Sequence, residues 1–167
     1  MKIIAIPGSS SKTSLNKRLL DYVNLISLDM FEMEIIEIDK IPIFNKDDSY
    51  LNYENLISIS QKITSSDGLI IATPEHNKTI PAILKSLIEW LSYDIHPFKG
   101  KPTMIIGASE DSQGTSSAQL HLKQILDSPG VDAFVMPGNE FLLKNAHLKF
   151  DQDGRLIDEK TDDYLEH

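Results

Sequence analysis

Cysteine is absent from the 167 residues, which removes disulfides, thiolate metal sites and cysteine nucleophiles together. A cytoplasmic protein fits that composition. Cationic charge is scarce as well: 16 lysines plus arginines stand against 25 acids, a formal net charge of -9. Nonspecific binding to nucleic-acid backbones or anionic lipid is therefore disfavoured, although backbone N–H groups can still build a local anion site. Long apolar runs are missing too. The N-terminal MKIIAIPGSS stops being apolar at Pro7, short of a signal-peptide core or a membrane span, and reads as a first strand. His96, His121 and His147 have no metal-ligand spacing and read as surface residues, so no metal site is expected. The length predicts one domain, residues 1–164, with 165–167 as a tag scar or frayed C-terminus.

What is present is an alternation. Lys2 to Pro7 predicts strand one, followed by Gly8-Ser9-Ser10-Ser11-Lys12-Thr13-Ser14 and a helix with Leu15, Leu19, Val23 and Ile26 on one face. The serine-rich loop has two readings: a phosphate cradle at a helix N-terminus, or an ordinary turn with Ser14 as N-cap. It is neither a Walker loop nor a dinucleotide fingerprint. Glu32 to Ile38 predicts strand two, near an edge, and Asp39 to Tyr53 a long loop. There Phe44, Tyr50 and Tyr53 either meet a ligand or second subunit or pack under the loop. A helix from Glu54 to Ser66 leads into the most informative stretch, Gly68 to Trp90.

That stretch divides into a continuously apolar strand three, Gly68 to Ala72, a polar turn, and a helix from Ile80 or Pro81 with Thr79 as its N-cap. Polar loops at the carboxyl ends of buried parallel strands are where open α/β sheets hold ligands, which points to Pro74 to Lys78. The helix carries apolar residues over an arc of roughly 160°, wider than one sheet contact requires. Subunit pairing or a larger intramolecular core accounts for the excess, and Trp90 at its edge is core, interface or ligand contact. Pro102 to Ala108 predicts strand four, ending in a second small-residue loop, 107–115. Val131 to Met136 predicts strand five, and a last helix begins at Asp158 to Tyr164. The expected fold is α/β: a doubly wound parallel sheet of five strands with helices on both faces and right-handed crossovers. The loops after strands one, three and four then meet at one end and together suit a mononucleotide.

These residues resemble the NAD(P)H-dependent FMN reductases of flavodoxin-like fold, which include quinone, azo and chromate reductases. Gly8-Ser9-x-x-x-x-Ser14-x-Asn16 is similar to their phosphate loop. Thr73-Pro74-Glu75-His76-Asn77-x-Thr79-x-Pro81, with Leu84-Lys85 and Trp90, is similar to their flavin-ring loop and following helix. Ile41-Pro42-Ile43-Phe44-Asn45-x-Asp47 and Phe150-Asp151-x-Asp153-Gly154-Arg155-Leu156 match weaker flanking motifs. The resemblance implies strand order 2-1-3-4-5 and FMN as cofactor. Ser9, Ser11, Ser14, Leu15 and Asn16 would lie about its phosphate, Pro74, Glu75, His76 and Asn77 along its ring, and Ser109 at the pyrimidine edge. It further implies NADPH or NADH as co-substrate, a small-molecule acceptor such as a quinone, azo compound or free flavin, and a homodimer or homotetramer. Ser11 stands where the family usually has arginine, with Lys12 as a substitute charge, and His76 stands where it has tyrosine. The flavin carries such chemistry, so no catalytic side chain is expected. The rival reading is an FMN-binding electron carrier or redox sensor without NAD(P)H turnover.

Overall fold

The computed structural model describes residues 1–138, 140–158, 161, 162 and 165. Its elements are β1 (Lys2–Pro7), α1 (Leu15–Ile26), β2 (Glu32–Ile35), α2 (Glu54–Ser65), β3 (Gly68–Ala72), α3 (Ala82–Tyr93), β4 (Pro102–Ala108), α4 (Ser116–Leu126), β5 (Phe134–Val135) and β6 (Phe141–Leu143). The sheet runs β2-β1-β3-β4-β5, as expected, with β6 also paired to β4. Every pairing is parallel.

Alternation along the central strands feeds two cores. Ile4, Ile6, Leu69, Ile71 and Ile105 face α2, α3 and α4. Ile3, Ala5, Ile70, Ala72 and Ile106 face α1 and the C-terminal segment. Strands buried on both faces have no polar side to show, which is why β3 reads as an unbroken apolar run.

The fifth strand differs from expectation. In place of a continuous Val131 to Met136, β5 pairs only with Pro102 and Thr103, and β6 takes over the same edge opposite Ile106, Gly107 and Ala108. Asp132 at φ 52 bends the chain before β5. Pro137, which has no N–H for a ladder, and Gly138 at φ 92 turn it away afterwards. Strand two also stops early, at Ile35, although the Ile36 N–H still donates to Ala5 O at 3.0 Å.

α3 begins two positions later than a Thr79 cap implies. Pro81 occupies the N-cap, and its carbonyl accepts the first helical bond from Lys85 N at 3.1 Å. Most of the wide apolar arc of this helix is covered within the chain: Ile80, Leu84, Leu87, Ile88, Trp90 and Leu91 are buried and Ile83 is half-buried. The 39–53 loop folds over it. Phe44 meets the Trp90 ring edge-on with centroids 5.1 Å apart, Tyr53 lies 5.5 Å from Trp90, and the indole Nε1 donates to Pro42 O at 2.9 Å. Most of the breadth of the arc is thus intramolecular core, and Trp90 belongs to it.

Of the expected last helix, Glu159, Lys160, Asp163 and Tyr164 lie outside the described residues, as do Glu166 and His167 of the tail. The Tyr22 hydroxyl donates to the Asp162 carboxylate, and Leu165 packs on the α1-side core.

Candidate functional site

Backbone contacts gather the loops after β1, β3 and β4 at one end of the sheet. Gly8 N donates to Ala72 O at 2.6 Å, and Thr73 N donates to Ile106 O at 3.0 Å. A Cβ on Gly8 would lie 2.9 Å from Ala72 O, so only glycine permits this approach. Gly107 is tighter: a Cβ there would fall on Thr115 Oγ1 and lie 2.8 Å from Thr73 O. The third tie is Asn16. Its Nδ2 donates to Ala108 O at 2.9 Å and its Oδ1 accepts from Ala108 N at 2.8 Å, joining the start of α1 to the end of β4.

The first loop is organised by its own hydroxyls. Ser9 Oγ accepts from Ser11 N at 3.1 Å, Ser11 O accepts from Ser14 N at 3.2 Å, and Ser14 Oγ caps α1 by accepting from Lys17 N at 3.2 Å. The N–H groups of Leu15 and Asn16, the first two of the helix, have no acceptor among the described residues. Two free donors on a positive helix end, following the loop that carries Ser9, Ser11 and Ser14, have the chemistry to receive an anion. Ser14 is the N-cap of α1: its hydroxyl turns toward Lys17 N and leaves the neighbouring amides open.

The second loop is a tight turn rather than the run into a helix that a Thr79 cap implies. His76 N donates to Thr79 O at 2.9 Å and Thr79 N to His76 O at 3.0 Å, with Asn77 at φ 51 and Lys78 at φ 66. Two successive positive φ values are those of a type I′ turn, and asparagine tolerates the first best. Pro74 is half-buried below, while the His76, Asn77 and Lys78 side chains are exposed. The N–H groups of Asn77 and Lys78 have no acceptor among the described residues.

Long-range side-chain contacts clasp this turn to α4. Glu75 Oε2 accepts from Ser117 N at 3.0 Å and Ala118 N at 3.2 Å, supplying the cap that the helix's own Thr115 does not. Its Oε1 lies 3.2 Å from Lys78 Nζ, which donates to Gln113 Oε1 at 2.9 Å. Thr79 Oγ1 bonds His121 Nδ1 from the second turn of α4. His121, expected at the surface, is therefore half-buried and tied to the turn.

Ser109 opens the third loop. Its Oγ donates to Asp111 Oδ1 at 2.9 Å, and the same carboxylate oxygen accepts from Gln113 N at 2.9 Å and Gly114 N at 3.1 Å. The Ser109 hydroxyl, then those backbone amides and the Lys78 charge, hold the Asp111 carboxyl below its ordinary value against the opposing effect of desolvation. Asp111, Gln113 and His121 were not foreseen as site-building residues. The S-x-D-x-x-G spacing of an Asx turn signals Asp111, whereas nothing local signals a contact spanning 42 positions, such as Thr79 with His121.

All ten residues expected to bind cofactor thus lie on loops or the first turn of α1 at the same end of the sheet; the Ser9, Ser11, Ser14 and Ser109 hydroxyls each make a hydrogen bond close by in sequence, and two further side chains are engaged at long range. Asn16 spends both ends of its amide on Ala108, and Glu75 spends its carboxylate on α4 and Lys78. No group of three or more His, Asp or Glu able to hold a metal exists among the described residues.

A parallel sheet in this order, with open amides at the start of the helix after its first strand and a tight turn after its third, defines a flavodoxin-like fold. The flavoenzyme FerB, an NAD(P)H:acceptor oxidoreductase from Paracoccus denitrificans, shares that architecture at a TM-score of 0.87 and 28% identity, over 99% of this chain and 91% of its own. A model of the family described as NADPH-dependent FMN reductase matches residues 1–148, and the chain belongs to that family. The match ends before the flanking Phe150 to Leu156 motif. The NADH:(hydroxy)cinnamate reductase subunit CrdA of Vibrio ruber is 43% identical over 95% of this chain and 79% of its own length. The NADH-dependent flavin reductase subunit 2 of Lactobacillus johnsonii is 38% identical over 96% and 89%. FMN is accordingly the cofactor and NAD(P)H the co-substrate. The residues fit that group: free amides with a hydroxyl rim suit its phosphate, and an open turn with free amides suits a flat, hydrogen-bonding ring.

Proposed function

We propose that FMN lies with its phosphate on the Leu15 and Asn16 amides, inside the Ser9, Ser11 and Ser14 rim, and its ring along Pro74 to Asn77. When bound, FMN supplies two-electron chemistry, taking hydride from NAD(P)H and passing electrons to a quinone, azo compound, free flavin or similar small acceptor. The observation that carries this reading is the pair of free amides at the start of α1 facing a loop cluster bolted together through Asn16 and Ala108.

The chain's own part is binding and orientation. Helix α1 places partial positive charge at the phosphate, which offsets the arginine that Ser11 replaces. Lys12, exposed on the same loop, adds a point charge. The I′ turn presents the Asn77 and Lys78 amides to polar edges of a planar ring, and Ser109 borders the opposite side. The Asn16 and Glu75 side chains position these loops, and Asn16 meets the phosphate through its backbone N–H alone. His76 leaves its imidazole exposed above the turn, where it meets incoming substrate, while its backbone closes the turn.

A homodimer or homotetramer and a cytoplasmic location complete the proposal, the latter supported by the cysteine-free composition. No helix among the described residues is long and apolar enough to cross a membrane. One observation favours a second reading: two relatives, at 43% and 38% identity, are each called a subunit. In that reading the chain is one component of a two-protein reductase, and its electrons go to a partner protein. Steady-state turnover of the purified, FMN-loaded chain separates the two. NAD(P)H oxidation that depends on added quinone supports the complete enzyme. Retained flavin without turnover supports the subunit.

A further inference from the structure

A cavity of about 680 Å³ runs as a groove along α1 from Lys12 to Leu25, with Asp153 and Gly154 also in its lining. Its lining is unusual for a chain of net charge -9: Lys12, Lys17 and Arg18 all open onto it. Arg18 is held in place by Phe150, whose ring centroid lies 5.5 Å from the guanidinium carbon. Lys17 pairs with Asp21 at 3.5 Å, but with side chains 48% and 55% exposed that pair is weak and yields readily to another anion. Leu15, Tyr22 and Leu25 give the groove an apolar wall, and Asp21 and Asp153 put carboxylates on its rim.

Cations, an apolar wall and carboxylates within one cavity of this size match the three parts of a nucleoside diphosphate. The cations meet the phosphates, the wall takes the base, and the carboxylates accept from ribose hydroxyls. The groove shares Ser14 and Leu15 with the cradle assigned to FMN, so a ligand there lies against the flavin's phosphate end. We propose that this groove binds the ADP half of the nicotinamide dinucleotide, with Lys17 and Arg18 as its phosphate-binding residues. The assignment rests on the flavin placement proposed above.

The test is calorimetric titration of the FMN-loaded protein with ADP, together with NADH kinetics, for the native chain, the double variant Lys17→Gln/Arg18→Gln and the single variant Arg18→Lys. ADP binds the native chain and competes with NADH. In the double variant ADP affinity falls about tenfold or more, as loss of charge-assisted bonds predicts, and the KM for NADH rises in step. kcat and the flavin absorbance stay unchanged, and Arg18→Lys recovers part of the affinity. Failure of ADP to bind the native chain, or equal binding by the double variant, overturns the proposal. Loss of FMN in the double variant also overturns it, because the cations would then serve the flavin phosphate. If the native chain takes up no FMN, the flavin placement fails on its own, and the ADP titration of that same protein still decides the groove.

Discussion

The phosphate end and the ring end of the site are built in opposite ways. Around Ser9 to Ser14 the contacts are local: hydroxyls and amides two or three residues apart shape the loop, the helix that follows supplies the charge, and long-range ties come only at its ends, through Gly8 to Ala72 and Asn16 to Ala108. Around Pro74 to Thr79 the loop makes its turn locally but is held in place from a distance, by Glu75 on Ser117 and Ala118, Lys78 on Gln113, and Thr79 on His121. A local cradle binds an anion wherever its helix points. A flat platform works only if its tilt against the neighbouring loop is fixed, and that takes contacts across the fold.

The sharpest way to break the contrast is at the shared hinge. Gly107→Ala puts a methyl group onto Thr115 Oγ1 and close to Thr73 O, which forces the ring end apart. The expected cost is about 1–3 kcal/mol or more, with loss of flavin binding, as overpacking of a closed core predicts. Thermal melts and FMN titration read it, and a native melting temperature would show that the loops yield more easily than the geometry implies.

Ser14→Asp attacks the local end alone. A carboxylate beside the cradle repels the phosphate and should weaken FMN binding about a hundredfold or more, with little change in stability because aspartate still caps α1. Fluorescence titration with FMN checks it, and unchanged affinity would assign the loop another role. Glu75→Ala attacks the distant end: losing the cap on α4 should cost about 1 kcal/mol and shift the flavin absorbance bands while phosphate affinity holds. A spectrum identical to that of the native protein would show that the clasp does not govern the platform.

These two ends were not equally legible in the sequence. Loop one was open to reading because the hydrogen bonds between Ser9 and Lys17 that shape its interior are local, and the one-sided Leu15, Leu19, Val23 pattern fixes where the helix starts. The β3 strand was legible for the same reason. The clasp was not, since Glu75 looks like a ligand until the α4 N-terminus is seen beneath it, and Asn16 looks like a phosphate donor until Ala108 takes its amide. The split of β5 and β6 escaped because a run such as Val131 to Met136 shows strand propensity but not the positive φ at Asp132 that spoils its register.

The smallest expected effect concerns acid. Asp111 has its pKa depressed in the folded protein, first by the Ser109 hydroxyl. A depressed carboxylate contributes stability above its unfolded pKa, near 3.9, and loses that contribution as pH falls through the lower folded value. The third loop should therefore loosen below about pH 4, with Asp111→Asn removing that part of the acid dependence. Hydrogen exchange at Gln113 and Gly114 measures it, and protection unchanged by the substitution would free the loop from Asp111.

The account stands most directly on FMN titration of the flavin-free protein, read by flavin fluorescence and visible absorbance. It predicts saturable binding of FMN, weakened about a hundredfold or more by Ser14→Asp, with riboflavin, which lacks the phosphate, binding far more weakly. Equal affinity for FMN and riboflavin, or no flavin binding at all, would contradict it.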